Sequence, residues 1–506
     1  MQKNSSQIEL RGIRKVFGEV VANEDVSFSV RKGSIHAIVG ENGAGKSTAM
    51  KVLYGQYAPD AGEIFVGGEK VSWRSPADAI AAGLGMVHQH FMLAGCHDAV
   101  DNVMLAAGGS AFGVLDYKNA RVRLESLMKE FHMEARLGVP VDRLSVGEQQ
   151  RIEILKLLYR DSSILILDEP TAVLAPSEID ALFATLRGMA ASGKTILIIT
   201  HKLKEVIALA DAVTVFRAGR VVGERPVKGS TVSELASLMV GRNVSFDTGG
   251  ERQPPGSDLV LELRAAQPVK KLERLGSMSF RLHAGEILGV AGVEGNGQTE
   301  LIQLLLHPRE NLESGLYSLL GNSVAGLRSR ELRDAGLALF PEDRLNEALL
   351  LSESCEDNFL LGHQRDSGYR RQGVLLDRFS LRADFARAAE EFDIRPGTPQ
   401  AIAGTLSGGN QQKLVVAREL ASRPRFLLAA QPTRGVDIVA IESIHARILE
   451  LRQSGSGVLL ISSELDEVLK LSDRLLVLYR GRVVGSFLRK EFDEKKIGLL
   501  MAGGHA

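Results

Sequence analysis

The chain carries the same series of motifs twice, and this internal repeat constrains its fold more than any other feature of the sequence. Residues 27–33 (SFSVRKG) recur as residues 279–285 (SFRLHAG), 252 positions further along. Residues 144–151 (LSVGEQQR) recur as residues 406–413 (LSGGNQQK), 262 positions further along. Ordered matches at nearly constant spacing predict two homologous domains in tandem, with an insertion of about ten residues in the second.

The two copies are predicted to meet at a polar stretch rich in glycine and proline, residues 245–257 (SFDTGGERQPPGS). Such a composition is typical of an exposed linker. We therefore expect a first domain over residues 1–244 and a second domain over residues 258–506.

The first copy contains a predicted strand, a glycine-rich turn and a predicted helix in succession. Residues 34–39 (SIHAIV) form the apolar strand, and the helix starts at Lys46. The turn and the start of the helix comprise Gly40, Glu41, Asn42, Gly43, Ala44, Gly45, Lys46, Ser47 and Thr48. This pattern aims backbone N–H groups at a phosphate, with Lys46 on the terminal phosphates and Ser47 on Mg²⁺. An ordinary glycine turn is the alternative, but it leaves the following motifs unexplained.

Further polar residues stand at the ends of predicted strands in the first copy. Gln89 ends one strand and can touch Mg²⁺ or an attacking water. Asp168 and Glu169 end the strand ILIL, where Asp168 is placed to hold Mg²⁺ through water and Glu169 to polarise the attacking water. His201 ends another strand and is placed to contact the terminal phosphate. Ser145 and a following glycine precede a helix predicted over residues 149–158, which makes a second anion-binding helix start.

Each copy is predicted to be a doubly wound α/β unit. In the first copy, residues 164–167 and 195–200 are near-continuous apolar runs, which suit a parallel sheet covered on both faces. The first thirty residues alternate like strands, so we expect a small antiparallel layer there. Residues 96–145 look helical and form the expected separate subdomain.

Composition limits the classes of function. The formal net charge is −1, so the charge balance shows no nucleic-acid footprint. The two cysteines lie far apart, which disfavours a disulfide framework and suits a reducing compartment. The N-terminus lacks the apolar run of a signal peptide, and no stretch approaches the ~18 apolar residues of a membrane-spanning helix. If the chain works at a membrane, we expect another chain to supply the spanning segments.

Together these motifs resemble the ATP-binding cassette, the nucleotide-binding component of ABC transporters, and the resemblance covers both copies. It implies an α/β fold of two tandem P-loop NTPase domains, each with a parallel-sheet core, an antiparallel β layer and a helical subdomain. It also implies ATP and Mg²⁺ as cofactors and ATP hydrolysis as the reaction. Phe17 matches the aromatic residue that stacks on adenine in this family, although a core phenylalanine is an equally open interpretation.

The second copy has lost the groups on which hydrolysis depends. The counterparts of Lys46, Gln89, Asp168, Glu169 and His201 are, in that order, Gln298, Glu342, Ala430, Gln431 and Ser463. Charge stabilisation of a transferring phosphoryl group is therefore expected to fail in this copy.

The repeated segment at residues 144–151 and 406–413, which matches the signature of the cassette family, shows the opposite asymmetry. The second copy keeps Ser407 with both glycines, Gly408 and Gly409, whereas the first copy has Val146 in place of the first glycine. Asp437 of the second copy stands where the first copy has Ala175. In the ATP-binding cassette family, two cassettes pair head to tail. Each ATP lies between the phosphate loop of one cassette, called the Walker A motif, and the signature of the other. The resemblance thus implies that Ser407, Gly408, Gly409 and Asp437 complete the site of the first domain. We expect one hydrolytic site and one degenerate site, whose nucleotide binding stays open.

The fused layout resembles the ATPases of sugar and nucleoside importers. Residues 86–93 (MVHQHFML) and 144–155 (LSVGEQQRIEIL) are more similar to the nucleoside branch, with a monosaccharide importer as the alternative. The implied partners are two membrane permease subunits, contacted over residues 90–102 and the matching stretch after Glu342, and through them a periplasmic or lipoprotein solute-binding protein. The implied location is the cytoplasmic face of the cell membrane. A soluble twin-cassette ATPase of translation or DNA repair is a further alternative, but the short linker and the asymmetric losses argue against it.

Overall fold

The structure is a computed structural model that describes residues 6–18, 20–41, 43–88, 91–107, 116–171, 174, 176–241, 252–371, 375–501 and 503–504. The chain divides into two compact units, Met1–Phe246 and Asp247–Ala506. The division falls inside the stretch predicted as linker. The last residues of that stretch are held by the second unit, because Arg252 donates hydrogen bonds to the backbone carbonyls of Lys470 and Leu471.

The strands of the first unit form two sheets. They are β1 (Ser6–Phe17), β2 (Val20–Arg31), β3 (Ile35–Gly40), β4 (Ala61–Val66), β5 (Glu69–Val71), β6 (Leu84–Val87), β7 (Ile164–Asp168), β8 (Thr195–Ile199), β9 (Ala212–Arg217) and β10 (Arg220–Pro226). The order β2-β1-β4-β5 is antiparallel and forms the predicted outer layer. The order β10-β9-β3-β8-β7-β6 is parallel except for the β10 edge.

The central strands are buried from end to end, as expected for strands covered on both faces. The helices that cover them and build the subdomain are α1 (Lys46–Leu53), α2 (Pro76–Ala81), α3 (Ala99–Ala107), α4 (Tyr117–Glu130), α5 (Val146–Tyr159), α6 (Pro176–Ala191), α7 (Leu203–Leu209) and α8 (Val232–Val240). The subdomain comprises α3, α4 and α5, whose apolar faces share one core. The predicted helical subdomain is therefore confirmed, although residues 131–140, between α4 and α5, form turns and irregular backbone.

Helix α5 begins three residues earlier than the sequence pattern suggested. Ser145 accepts a hydrogen bond from the N–H of Glu148, and the Glu148 carboxylate returns to the N–H of Ser145. This capping box stabilises a helix start at Val146. As a consequence, Val146 and Gly147 lie in the first helical turn.

The second unit repeats this arrangement. Its strands are β11 (Leu259–Pro268), β12 (Met278–His283), β13 (Ile287–Ala291), β14 (Leu312–Leu319), β15 (Asn322–Ser323), β16 (Leu337–Phe340), β17 (Arg370–Arg371), β18 (Leu375–Leu376), β19 (Phe426–Ala430), β20 (Gly457–Ser462), β21 (Arg474–Tyr479) and β22 (Arg482–Leu488). The order β16-β19-β20-β13-β21-β22 matches the order of the first unit's main sheet, and β12-β11-β14-β15 matches its outer layer. The predicted tandem α/β fold is confirmed.

The helices of the second unit complete the match. They are α9 (Gln298–Leu306), α10 (Pro308–Asn311), α11 (Ser329–Asp334), α12 (Cys355–Leu360), α13 (Arg378–Glu391), α14 (Gly408–Ala421), α15 (Ile438–Gln453), α16 (Leu465–Leu471) and α17 (Glu494–Met501). The short hairpin β17–β18 lies between α12 and α13, in the region where the second copy is longer. Over the ranges the structure describes, no helix combines the length and apolar character needed to cross a bilayer.

Candidate active site

The phosphate loop of the first unit connects β3 to α1, as the sequence predicts. Gly45, with a φ of 93°, is the residue before the helix, and a side chain there would collide with the carbonyl of Ala22. Lys46 is buried at 6% exposure, and its Nζ donates to the carbonyls of Gly40 and Glu41 at 2.7 and 2.8 Å. The lysine therefore folds back on the loop and stands at its centre.

The charges around Lys46 come from the end of β7 and from Glu41 of the phosphate loop. Burial lowers the pKa of Lys46, while the carboxylates of Glu169, Asp168 and Glu41 oppose this shift. Burial and the neighbouring Glu169 raise the pKa of Asp168, and a hydrogen bond from the Ser47 side chain partly offsets the rise. The fold thus brings Lys46, Ser47, Asp168 and Glu169 into one cluster.

The serine hydroxyl and the aspartate carboxylate fit a magnesium site. Both are oxygen donors, which Mg²⁺ prefers. The side chains of Ser47 and Asp168 are hydrogen-bonded to each other, so these two candidate metal-ligating oxygens lie close together. Gln89, the third predicted contributor, lies outside the described residues, as does Asn42 of the phosphate loop.

Glu169 and His201 form a hydrogen-bonded pair at the carboxyl ends of neighbouring strands. Nδ1 of His201 lies 2.8 Å from Oε1 of Glu169. Burial by itself would raise the pKa of Glu169, but the hydrogen bond and charge of His201, with the charges of Lys46 and Lys202, lower it overall. The carboxylate is therefore held ionised, the state that a water-polarising base needs.

The backbone at Glu169 is left-handed, with a φ of 48°. A non-glycine residue in this region stores strain of about 1–3 kcal/mol. Gln431, its counterpart in the second unit, has a φ of 47°, and each residue's N–H donates to the carbonyl two positions before the matched His201 or Ser463. The strained conformation is thus a property of the fold that both units keep.

Phe17 lies at the surface and not in the core. It ends β1, is 42% exposed and packs edge-on against Tyr57 at a centroid distance of 5.1 Å. The core interpretation of this residue is therefore wrong, whereas its contact with adenine stays a prediction. Thr48, half-buried in the first turn of α1, also stays a predicted nucleotide contact.

The second unit fills its phosphate loop with a neutral side chain. Oε1 of Gln298 accepts from the N–H of Asn296 at 3.1 Å, and its Nε2 donates to the carbonyl of Val293 at 3.0 Å. Thr299, at the position of Ser47, donates to the carboxylate of Glu342 at 2.9 Å. The side chains at the positions of the lysine and of the metal-binding serine, Gln298 and Thr299, are therefore hydrogen-bonded to groups within the unit.

The pair at the end of β19 is neutral as well. Gln431 accepts from the backbone N–H and the hydroxyl of Ser463, each at 3.2 Å, where the first unit has the Glu169–His201 pair. Ala430, buried, replaces Asp168. An amide and a hydroxyl cannot serve as a base at neutral pH.

The signature of the second unit is intact in structure. Ser407 caps α14, and Asp437 caps α15 by accepting from the N–H of Ala440. A side chain at Gly409 would meet the Asp437 carboxylate, so the two residues are close neighbours. Ser407, Gly408, Gly409 and Asp437 therefore lie together, as a site contribution from this unit requires.

Sequence reasoning missed two residues that hold these loops. Nη1 of Arg344 donates to the carbonyl of Arg434 at 2.7 Å, and its guanidinium lies against Gly408. Asn23, fully buried, donates to the carbonyl of Gly45 at 3.0 Å. Both contacts link segments that are distant in sequence, and only the string PEDR around Arg344 offered a signal.

Two carboxylates, those of Glu148 and Glu178, lie at the signature of the first unit. Glu148 forms a two-point ion pair with Arg136 at 2.8 Å for both bonds, and this hydrogen bonding lowers the pKa of Glu148 to about 2. The carboxylate of Glu178 lies directly over Gly147. Ala175 lies outside the described residues.

Comparison with known proteins agrees with this geometry. The family model described as ABC transporter matches residues 23–172 and again residues 275–434. The chain is 42% identical to the guanosine import ATP-binding protein NupO of Bacillus subtilis, over 98% of this chain and 97% of that protein. It is 39% identical to the nucleoside import ATP-binding protein NupA of Lactococcus lactis subsp. cremoris, over 99% of both. It is 37% identical to the ribose import ATP-binding protein RbsA 3 of Rubrobacter xylanophilus, over 98% of both.

A solved structure shows the same fold over both halves. The archaeal ribosome recycling factor aABCE1, in complex with the ribosomal stalk protein aP1, has a TM-score of 0.61 at 20% identity and covers 93% of this chain and 88% of its own. At this identity the likeness concerns the fold alone. The two family matches and the full-length relatives together show that the chain belongs to the ABC transporter family, with two cassettes in one polypeptide.

Proposed function

We propose that the chain is the ATP-hydrolysing subunit of a membrane importer whose solute is a nucleoside. The observation that carries the proposal is the cluster of Lys46, Ser47, Asp168, Glu169 and His201 in the first unit, set against its neutral counterpart in the second. Relatives named for guanosine and nucleoside import, matched over nearly their whole length, support the solute class.

The first unit's residues suit the hydrolysis of a phosphoanhydride. The loop amides and Lys46 bind and orient the phosphates, and Ser47 and Asp168 are the residues that would hold Mg²⁺. When bound, Mg²⁺ neutralises charge on the phosphate oxygens. Glu169 accepts a hydrogen bond from the attacking water, His201 fixes the orientation of Glu169, and Gln89 is assigned to the same water.

We further propose that Ser407, Gly408, Gly409 and Asp437 complete this site. The support is the segregation of the losses, because the intact signature belongs to the unit with the defective phosphate loop. The other site would combine Gln298, Ala430 and Gln431 with the signature that carries Val146. One hydrolytic site for each chain follows from this pairing.

Import requires partners, and we propose two permease subunits with a solute-binding protein, the chain lying against the cytoplasmic face of the membrane. A monosaccharide is the second candidate solute, favoured by the relatives named for ribose and glucose import. The strings at residues 86–93 and 144–155 favour the nucleoside.

Uptake measurements test the proposal. The chain is expressed together with permease subunits and a solute-binding protein of a nucleoside importer, and cells are supplied with labelled guanosine or labelled ribose. We expect guanosine uptake that Glu169→Gln abolishes and that its matched control, Gln431→Asn, leaves intact. Uptake of ribose alone would replace the nucleoside assignment, and transport that survives Glu169→Gln would contradict the assignment of the hydrolytic site.

A further inference from the structure

A buried ion pair on α5 holds the backbone of Met92 on both sides. Glu153 and Lys156 are 3% and 9% exposed, and Nζ of Lys156 lies 3.0 Å from Oε2 of Glu153. The N–H of Met92 donates to Oε1 of Glu153 at 2.6 Å, and Lys156 donates to the carbonyl of Met92 at 2.8 Å. Both backbone groups of one residue are therefore bound by two charges on a single helical turn.

Stability alone does not account for this arrangement. Burying two charges carries a desolvation cost, and an apolar pair of similar size commonly packs as well or better. The side chain of Met92 is itself 67% exposed, so the charges do not serve to bury it. What the pair provides is a defined position for the backbone at Met92.

The second unit holds the matching position through a different network. Nη1 of Arg418, the counterpart of Lys156, donates to the carbonyl of Ala348 at 2.7 Å. Arg418 pairs with Glu419, whose carboxylate also binds Arg333 and accepts from the N–H of Leu339 on β16. The cation of the second unit is thus tied to the main sheet as well as to its helix.

The first unit has a simpler network. Within the described part of the chain, the side-chain hydrogen bonds of Glu153 and Lys156 join only the Met92 backbone and each other. Since both charges belong to α5, the side chains that bind the Met92 backbone are those of this helix and not of the sheet. The next sheet residue along the chain, Val87 at the end of β6, is five positions before Met92.

We propose that Glu153 and Lys156 are positioning residues that make the start of the segment after Gln89 move as one body with α5. Met92 follows Gln89 by three positions in the sequence, and we extend the proposal to an effect of the clamp on the action of Gln89. This last step rests on the proposed function, in which Gln89 acts on the attacking water. Loss of the clamp then lowers kcat and leaves the affinity for ATP intact, because Lys46 and the phosphate loop are untouched.

Amide hydrogen exchange on the full-length chain tests the clamp directly. The informative variant is Glu153→Leu with Lys156→Met, which removes both charges at similar volume and leaves no unpaired charge buried. We expect the Met92 amide to exchange at least about 10-fold faster than in the wild type, with the remainder of the unit unchanged. Lys156→Arg keeps the charge and is expected to keep the protection, and Arg418→Met in the second unit is the matched control that leaves Met92 unaffected.

Steady-state kinetics with Mg²⁺-ATP supply the second readout. We expect the double variant to lose about 10- to 100-fold in kcat with KM unchanged. Wild-type protection of Met92 in the double variant, or faster exchange spread over the whole first unit, would overturn the clamp. If Gln89→Ala left kcat unchanged while the Met92 amide responded as expected, the role of Gln89 would fail and the clamp would stand.

Discussion

The two phosphate loops share one backbone shape and differ in what their central side chain binds. Gly45 and Gly297 both precede the helix with left-handed φ values of 93° and 107°. Lys46 donates hydrogen bonds to carbonyl groups of its loop. A phosphate accepts hydrogen bonds from N–H groups, so it does not compete for these carbonyls. Gln298 likewise donates to a loop carbonyl, that of Val293, but it also accepts from the backbone N–H of Asn296, the kind of group that binds a phosphate oxygen. The second loop therefore supplies from its own side chain an acceptor that the first loop leaves to a ligand.

This difference shows how a catalytic unit can lose its chemistry and keep its fold. Two of the lost charges, those of Lys46 and Glu169, have been replaced by the amides of Gln298 and Gln431, which have partners within the unit, and the third, that of Asp168, by the apolar Ala430. The second unit thus needs no bound ion to satisfy these groups. Its signature helix keeps its cap at Ser407.

The largest expected effect concerns the base. Glu169→Gln should lower kcat for ATP hydrolysis by about 10³-fold, because an amide cannot polarise the attacking water. Release of phosphate at saturating Mg²⁺-ATP measures this. The matched change, Gln431→Glu, should leave kcat within about 2-fold, since Ala430 and Gln298 still lack the groups that hold a metal and a phosphate. A second hydrolytic activity gained by Gln431→Glu would contradict the comparison.

The next effect concerns binding of the phosphates. Lys46→Ala should weaken ATP about 100-fold, the value of one or two charge-assisted hydrogen bonds. Titration calorimetry with Mg²⁺-ATP gives the dissociation constant and the number of sites. Gln298→Ala is the matched control and should leave the Lys46-dependent site unchanged. Gln298→Lys alone should create no hydrolysis, and a variant that did hydrolyse at a second site would show the remaining losses to be unimportant.

The repeat, the sheet strands and the phosphate loop could be predicted because they depend on local patterns. Apolar runs, glycine spacing and the alignment of Lys46 with Gln298 are visible in the sequence itself. The helix start at Val146 was missed, since the helix was expected from residue 149, although its capping box is visible in the sequence as Ser145 followed three residues later by Glu148.

The remaining contacts have no local signal. Arg344 reaches a backbone carbonyl 90 residues away, and Lys156 reaches one 64 residues away. Neither the periodicity nor the composition of the sequence predicts which backbone carbonyl such a side chain will bind. The same holds for Glu178 over Gly147, which depends on how α6 packs beside α5.

A smaller effect separates the two signature helices. In the second unit the guanidinium of Arg344 lies at Gly408, whose counterpart in the first unit is Val146. At the next position both units have a glycine beside a carboxylate, Gly409 with Asp437 and Gly147 with Glu178, so the cation is what distinguishes the second signature. A cation next to a helix N-terminus favours a phosphate there, and a carboxylate opposes it. Arg344→Met should therefore lower kcat by roughly 10-fold, and Glu178→Gln should change it by less than about 2-fold. Equal effects of the two changes would count against the proposed contribution of the second unit's signature.

The smallest effect concerns stability, at a position where the matched strands differ. His36 on β3 is buried with Nε2 2.7 Å from the hydroxyl of Thr214, whereas the second unit has Leu288 at this place on β13. Burial, helped by the charge of Arg31, lowers the pKa of His36 to about 4.

Between about pH 6.5 and pH 4 the unfolded chain binds a proton at His36 that the folded unit refuses, so stability falls as the pH falls through this window. The expected loss between pH 7 and pH 5.5 is about 1 kcal/mol. Calorimetric unfolding at both pH values should show this loss in the wild type and its reduction by that amount in His36→Leu, the variant that copies the second unit. Because other groups also titrate over this range, the difference between the two proteins carries the test. An equal loss in both would mean that the buried imidazole is protonated in the folded unit.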